Sequence, residues 1–259
     1  MESRPVPPAI PPFFHLMKHP ISTNYRILIS VRNMNEARIA AQAGVSLIDV
    51  KEPARGSLGM VDLSLLREIA HDLRQCFPHV QLSAAGGELK DFLSSPDQEL
   101  FPPLAFYKLG LSGLRSNRGW VQLWEQARAR FFEKSSPQSP PPGWIAVAYV
   151  DDVAAEAPAV ADVVAAAIDC RCAGVLFDTF EKTGRRLPEL LPVSQLETFL
   201  ERLHQHGLLG AVAGQLRLED LTAMRAAGAD IIAFRSAACR NRDRTAELDA
   251  ESIRHLLDA

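Results

Sequence analysis

Lysine is scarce in this chain. Of its 28 basic residues only six are Lys, at positions 18, 51, 90, 108, 134 and 182. Arginine meets the general need for positive charge, so the positions that keep Lys are informative. Metal-ligand spacing is also missing. The four cysteines are Cys76, Cys170, Cys172 and Cys239, and the C-x-C of Cys170 and Cys172 has no His nearby. That pattern excludes the spaced Cys/His sets of structural zinc sites and reads as reduced thiols of a cytoplasmic protein, with no metal expected. No apolar run approaches the ~20 residues of a membrane span. The opening MESRPVPPAIPPFF is broken by proline and lacks the continuous apolar core of a signal peptide. The chain has no basic excess either: its net charge of -3 gives no global attraction to nucleic acid or to an anionic membrane. Arg240, Arg242 and Arg244 have no interleaved aromatics and read as a solvated face. Ser57 has no His/Asp partner in register, which argues against a serine hydrolase.

What the chain does have is a repeat. Short apolar runs recur at 26–31, 46–50, 80–84, 105–111, 144–150, 173–178, 208–214 and 230–236. Each is followed by a helical pattern, among them 153–168, 193–206, 217–227 and 243–257, and a shorter helix around 89–95. The runs are apolar throughout rather than alternating, as parallel strands covered by helices on the outside require. Asn33 is a helix cap, and Gly44, Gly207 and Gly228 stand where helices stop before the next strand. Eight strand–helix units in 259 residues predict a single α/β domain, a closed (β/α)8 TIM barrel over 26–259. The alternative, an open doubly wound sheet, calls for a glycine-rich first turn that SVRNMNEAR does not supply. Residues 1–25 read as a proline-rich leader, packed by Phe13, Phe14 and Leu16, and SSPQSPPPG at about 135–143 as a stiff surface insertion.

In such a barrel the chemistry sits at the C-terminal ends of the strands. Lys51 ends the second strand in LIDVKEPARGSLG, with Asp49 two residues earlier on the same side. Lys108 lies late in the fourth strand, Asp178 ends the sixth, and Lys182 follows four residues on. Three lysines and two aspartates therefore converge on one mouth. A lysine amine attacks a carbonyl only when neutral, and burial beside other cations lowers its pKa toward that state. Arginine stays charged and does not substitute. A neighbouring carboxylate can move protons. The alternative for any one Asp/Lys pair is an ion pair that fills the barrel interior. Gly214 after the seventh strand, and Arg235 and Ser236 after the eighth, stand where barrels bind phosphate through loop N–H groups.

The segments LIDVKEPARGSLG, YKLGLSG, LFDTFEKTG and VAGQ…DIIAFRSAACRNRDR resemble the (5-formylfuran-3-yl)methyl phosphate synthase family, also called 4-(hydroxymethyl)-2-furancarboxaldehyde phosphate synthases, from about residue 26 onward. The resemblance implies a (β/α)8 barrel that condenses two glyceraldehyde 3-phosphates into a methanofuran precursor, losing phosphate and water. It implies a Schiff base and no metal or organic cofactor. The family's Schiff-base lysine falls on Lys51, its preceding acid on Asp49, and its other charged positions on Lys108, Asp178 and Lys182. The leader and the proline-rich insertion depart from the family's pattern, as do Gln215 and Ser236, which bear on substrate fit if they line the phosphate loop. Other readings of the same residues are a different Schiff-base aldolase or isomerase of sugar phosphates, and a barrel that binds a phosphorylated metabolite without catalysis. A homo-oligomer is compatible with the sequence and is not specified by it.

Overall fold

A computed structural model describes residues 25–94, 101–133, 142–182 and 184–259. Eight parallel strands close into a barrel in sequence order: β1 (Arg26–Val31), β2 (Leu47–Val50), β3 (Gln81–Glu88), β4 (Phe106–Gly110), β5 (Gly143–Tyr149), β6 (Gly174–Asp178), β7 (Leu209–Val212) and β8 (Ile231–Phe234), with β8 pairing back onto β1. The connecting helices are α1 (Met34–Gln42), α2 (Leu63–Cys76), α3 (Leu89–Ser94), α4 (Trp120–Glu133), α5 (Val160–Asp169), α6 (Leu187–Leu190), α7 (Val193–Gln205), α8 (Leu221–Ala226) and α9 (Ala250–Asp258). Asn33 caps α1 by accepting the Glu36 N–H at 2.9 Å.

The interior changes character along the strand direction. Near the N-terminal ends it is filled by Leu28, Leu47, Phe106, Ile145, Leu176 and Ile231. Two residues further along the same strands, on the same face, stand Ser30, Asp49, Lys108 and Asp178, all buried, and the small Ala233. The period of two thus lifts a polar layer above an apolar floor. Between sheet and helices runs the main core. Its thickest part joins β4, β5 and α4, where Tyr107 stacks on Phe131 at 3.8 Å and lies 5.6 Å from Trp144.

Several expected boundaries move. The alanine-rich helix after β5 begins at Val160 rather than 153, because Ala157 precedes Pro158 and is held out of helical geometry. Residues 150–156 instead form turns, and the Asp151 carboxylate accepts the N–H groups of Phe180 and Glu181 at 2.7 and 2.9 Å. The last helix starts at Ala250, capped by Asp249, whose carboxylate accepts the Ser252 N–H at 2.8 Å. The 217–227 helix is a 3-10 turn followed by α8, and α6 is an additional element. β3 runs four residues past its expected end, through Gly86 and Gly87, with a register shift against β4 between Ala85 and Glu88. All of the expected leader but Tyr25 and most of the expected insertion lie outside the described residues, and Gly143 belongs to β5.

Candidate active site

The loop after β2 is shaped by backbone crowding. Lys51 N–H donates to Val31 O at 2.9 Å and Glu52 N–H to Gly59 O at 2.8 Å. A Cβ on Gly59 would stand 2.3 Å from Glu52 O, so only glycine lets the loop close here. Closure carries residues 53–58 over the barrel mouth and buries Ser57 and Leu58.

Two ion pairs flank Lys51. On one side Lys108 Nζ contacts Asp49 Oδ1, and Ser83 Oγ completes the triangle at 2.9 Å from each. The sheet register explains it, since Asp49 lies directly beside Ser83 on β3 and Lys108 stands one strand further. On the other side Lys182 Nζ donates to Asp178 Oδ1 at 2.7 Å and to the Thr179 carbonyl. Asp178 also accepts the Thr179 N–H at 2.8 Å and the Ser57 hydroxyl at 3.3 Å. Lys51, 9% exposed, makes no hydrogen bond or ion pair through its side chain among the described residues. Burial, and after it the charges of Lys182 and Lys108, bring its pKa from 10.5 to about 8, against the opposing pull of Asp178 and Asp49. Burial also lowers Lys182. For Asp178 burial pushes upward, but Lys182, Lys51 and the hydrogen bonds together hold the carboxyl below its ordinary value.

Lys51 and Asp178 line two connected chambers. The upper, about 430 Å³, opens to solvent among Lys182, Gly214, Ser236 and Arg244. The lower, about 530 Å³, reaches into the barrel past Asp49 and Lys108 to Leu28, Phe106, Ile145 and Ile231. Among the described residues no group of three or more His, Cys, Asp or Glu is placed to hold a metal, and no helix is long and apolar enough to cross a membrane.

A family model for 4-HFC-P synthase matches residues 27–257. The chain belongs to the 4-HFC-P synthase family. Its relatives are named as synthases, and it is accordingly an enzyme. It is 31% identical to (5-formylfuran-3-yl)methyl phosphate synthase of Methanopyrus kandleri over 241 residues, covering 90% of this chain and 98% of that one. It is 28% identical to the enzyme of that name from Methanococcus maripaludis strain C5 over 227 residues, 84% of this chain and 91% of that one. Two solved structures share the fold at low identity. Phosphoribosyl anthranilate isomerase from Thermotoga maritima has a TM-score of 0.58 at 14% identity, covering 90% of this chain and 97% of the other. KGPDC from Streptococcus mutans in complex with D-R5P has a TM-score of 0.56 at 15% identity, covering 90% and 96%.

In this 4-HFC-P synthase family member the rim divides differently from the sequence reading. Gly214 has φ +94°, and a Cβ there would lie 2.9 Å from the Leu187 Cβ and 3.0 Å from the Thr179 Cγ2. Glycine is therefore required for the β7 loop to touch the β6 loop. The N–H groups of Gly214, Gln215 and Ser236 donate to no acceptor among the described residues and stand beside the upper chamber, as an anion cradle needs. Arg235 differs. Its guanidinium is buried, bonded twice to the equally buried Glu36 of α1 at 2.5 and 3.0 Å, and to the carbonyls of Ser30, Arg244 and Ala246. All five of its N–H donors are in use within the fold. Arg244, expected on a solvated face, is instead half-buried and folds over the mouth, with Nη2 at 3.4 Å from Pro53 O and Gly56 O and its remaining donors unengaged among the described residues. No pattern in RNRDR distinguishes it from Arg240 and Arg242. The backbone turns at Asn241 and Arg242, φ +54° and +57°, ahead of Arg244.

Proposed function

We propose that this enzyme condenses two molecules of glyceraldehyde 3-phosphate into (5-formylfuran-3-yl)methyl phosphate through a Schiff base on Lys51, for methanofuran-type cofactor synthesis in one-carbon metabolism. The observation that carries the reading is the contrast among the three lysines of the mouth. Lys108 and Lys182 each hold an aspartate, whereas Lys51 is buried, unpaired and about 8 in pKa. At about 8 its amine has an appreciable neutral fraction near physiological pH.

The Lys51 amine adds to the aldehyde carbon of one triose phosphate and water leaves, giving the iminium. Asp178, beside Lys182, takes the proton from the adjacent carbon, and the C–H electron pair moves into the C=N bond to give an enamine. The enamine pair expels the phosphate one carbon further along, leaving an enol. That enol attacks, through the carbon that lost the phosphate, the central carbon of the second triose after proton transfer has moved its carbonyl there from C1, and water leaves. Ring closure through a hydroxyl and loss of water then give the furan. Gly214, Gln215 and Ser236 N–H groups with Arg244 receive the phosphate at the upper chamber, and the lower chamber takes the uncharged part of the carbon skeleton. The buried Asp49–Lys108–Ser83 triangle fixes the floor under the imine. The reaction as proposed needs no metal or organic cofactor.

The test is mass spectrometry after incubation with glyceraldehyde 3-phosphate and borohydride. One adduct on the peptide holding Lys51, absent in Lys51→Ala, supports the imine, and formation of the furan aldehyde identifies the product. Furan formation by Lys51→Ala or Lys51→Arg would sink the assignment. An aldol product without a furan would move the enzyme to another Schiff-base aldolase.

A further inference from the structure

A chain of polar groups runs away from the cavity behind Asp178. Asp178 ends β6 directly beside Tyr149, which ends β5. Ser57, from the loop after β2, sits between them. Its Oγ is 3.3 Å from Asp178 Oδ2 and 3.0 Å from Thr179 O, and the Tyr149 phenol is its neighbour. The Tyr149 hydroxyl donates to Glu88 Oε1 at 2.7 Å, and Glu88 Oε2 accepts the Ser112 N–H at 2.9 Å. Ser57 and Tyr149 are buried, whereas Glu88 reaches partial exposure at the end of β3. None of the three lines either chamber. The arrangement is built with care for space. A Cβ on Gly110 would stand 2.2 Å from the Glu88 carboxylate, and Gly87 N–H donates to Leu58 O at 2.9 Å, tying the Ser57 loop to the strand that carries Glu88.

Asp178 is fully buried at the inner wall of the mouth. Substrate seated above it closes its route to water, yet the proposed reaction makes it take up and release protons repeatedly. We propose that Ser57, Tyr149 and Glu88 form a relay through which Asp178 exchanges protons with solvent while substrate covers the mouth. The inference rests on the Schiff-base reading above. After Asp178 has taken the carbon-bound proton, it passes that proton to Ser57 Oγ as Ser57 donates its own to Tyr149 and Tyr149 donates its own to Glu88. Glu88 then releases a proton to water. No electrons change hands, and the Asp178 carboxylate is restored. Burial, then the neighbouring Glu88 carboxylate, hold the Tyr149 phenol well above its ordinary pKa, so Tyr149 acts as a neutral conduit rather than a phenolate. The three are positioning and relay groups, since none touches substrate.

The test follows deuterium incorporation from D2O into the carbon beside the imine, alongside the yield of borohydride adduct on Lys51. Tyr149→Phe is expected to keep the adduct yield and the melting temperature while slowing incorporation at least about tenfold. A bowed proton inventory in the wild type should become linear in the variant. Ser57→Ala and Glu88→Gln, which leave the packing of Tyr149 on Phe180 at 5.4 Å untouched, should slow incorporation in the same way. Wild-type incorporation rates in the three variants would overturn the relay. So would a loss of adduct and melting temperature in step with incorporation, which marks a buttress only. Absence of any adduct in the wild type would instead overturn the Schiff-base reading itself.

Discussion

Replacing Lys182 with Met removes one positive charge from the mouth while keeping much of the apolar length of the side chain. The effect on Lys51 has two parts of the same sign. Lys182 lowers the pKa of Lys51 directly, and it also neutralises Asp178, to which it is bonded at 2.7 Å. In Lys182→Met the repulsion disappears and Asp178 turns its charge on Lys51. Burial, the largest cause of the value of about 8, is unchanged. Unit charges on the order of 6 Å apart interact by ~3 kcal/mol at an effective dielectric of ~20. At ~1.4 kcal/mol per pH unit, loss of the Lys182 charge by itself raises Lys51 by up to roughly two pH units. Partial relaxation of Asp178 leaves an expected rise of roughly one to two. A lysine at about 8 is ~25% neutral at pH 7.5, and one at ~9.5 is ~1% neutral. The initial rate of adduct formation at that pH should therefore fall roughly tenfold or more. The assay is the rate of cyanoborohydride-trapped adduct, measured by mass spectrometry between about pH 6 and 10. The wild-type midpoint should lie near 8 and that of the variant distinctly higher. An unchanged or lowered midpoint would refute the charge argument.

Other outcomes follow from the same geometry. Because the folded Lys51 stands at about 8 and its ordinary value is 10.5, the unfolded chain binds more protons between those values, so stability rises with pH across that window. Below it the buried lysine costs about 3 kcal/mol, at ~1.4 kcal/mol per pH unit. Lys51→Met should raise the melting temperature at pH 7 and lose that advantage above about pH 10.5, as calorimetry across the range would show. Arg244→Ala should keep the melting temperature and raise KM for the phosphorylated substrate about tenfold or more, the loss of one charge-assisted contact. Glu36→Ala leaves Arg235 as an unpaired buried charge. It should cost ~3–5 kcal/mol of stability by chemical denaturation while leaving KM of the folded enzyme close to wild type.

The barrel was legible because eight apolar runs, each stopped by a turn and followed by a helical pattern, admit few other closures. The five charged residues of the mouth were legible for a related reason. In parallel strands a charge at the last position faces the C-terminal rim, and lysine is rare enough here for 51, 108 and 182 to stand out. Pairing was not legible. Asp49 lies two residues from Lys51 in the chain, but the register across β3 hands its carboxylate to Lys108. The surroundings of Arg235 and Arg244 were not legible for a similar reason. The partner of Arg235, Glu36, lies 199 residues away, and no local pattern announces it. Ser57 found its acid 121 residues distant on β6, out of reach of any motif.

The Arg235–Glu36 pair has a consequence for how the protein is made. It spans the seam where β8 meets β1, the last strand to leave the ribosome against the first. Strand pairing from β1 to β7 can proceed as synthesis advances, but until residue 235 emerges the first strand keeps an open edge and Glu36 lacks its buried counter-charge. The nascent chain therefore carries an incomplete sheet until β8 emerges, and closure is a long-range event. A pause in translation shortly before codon 235 would lengthen exposure of that edge and favour chaperone capture over folding.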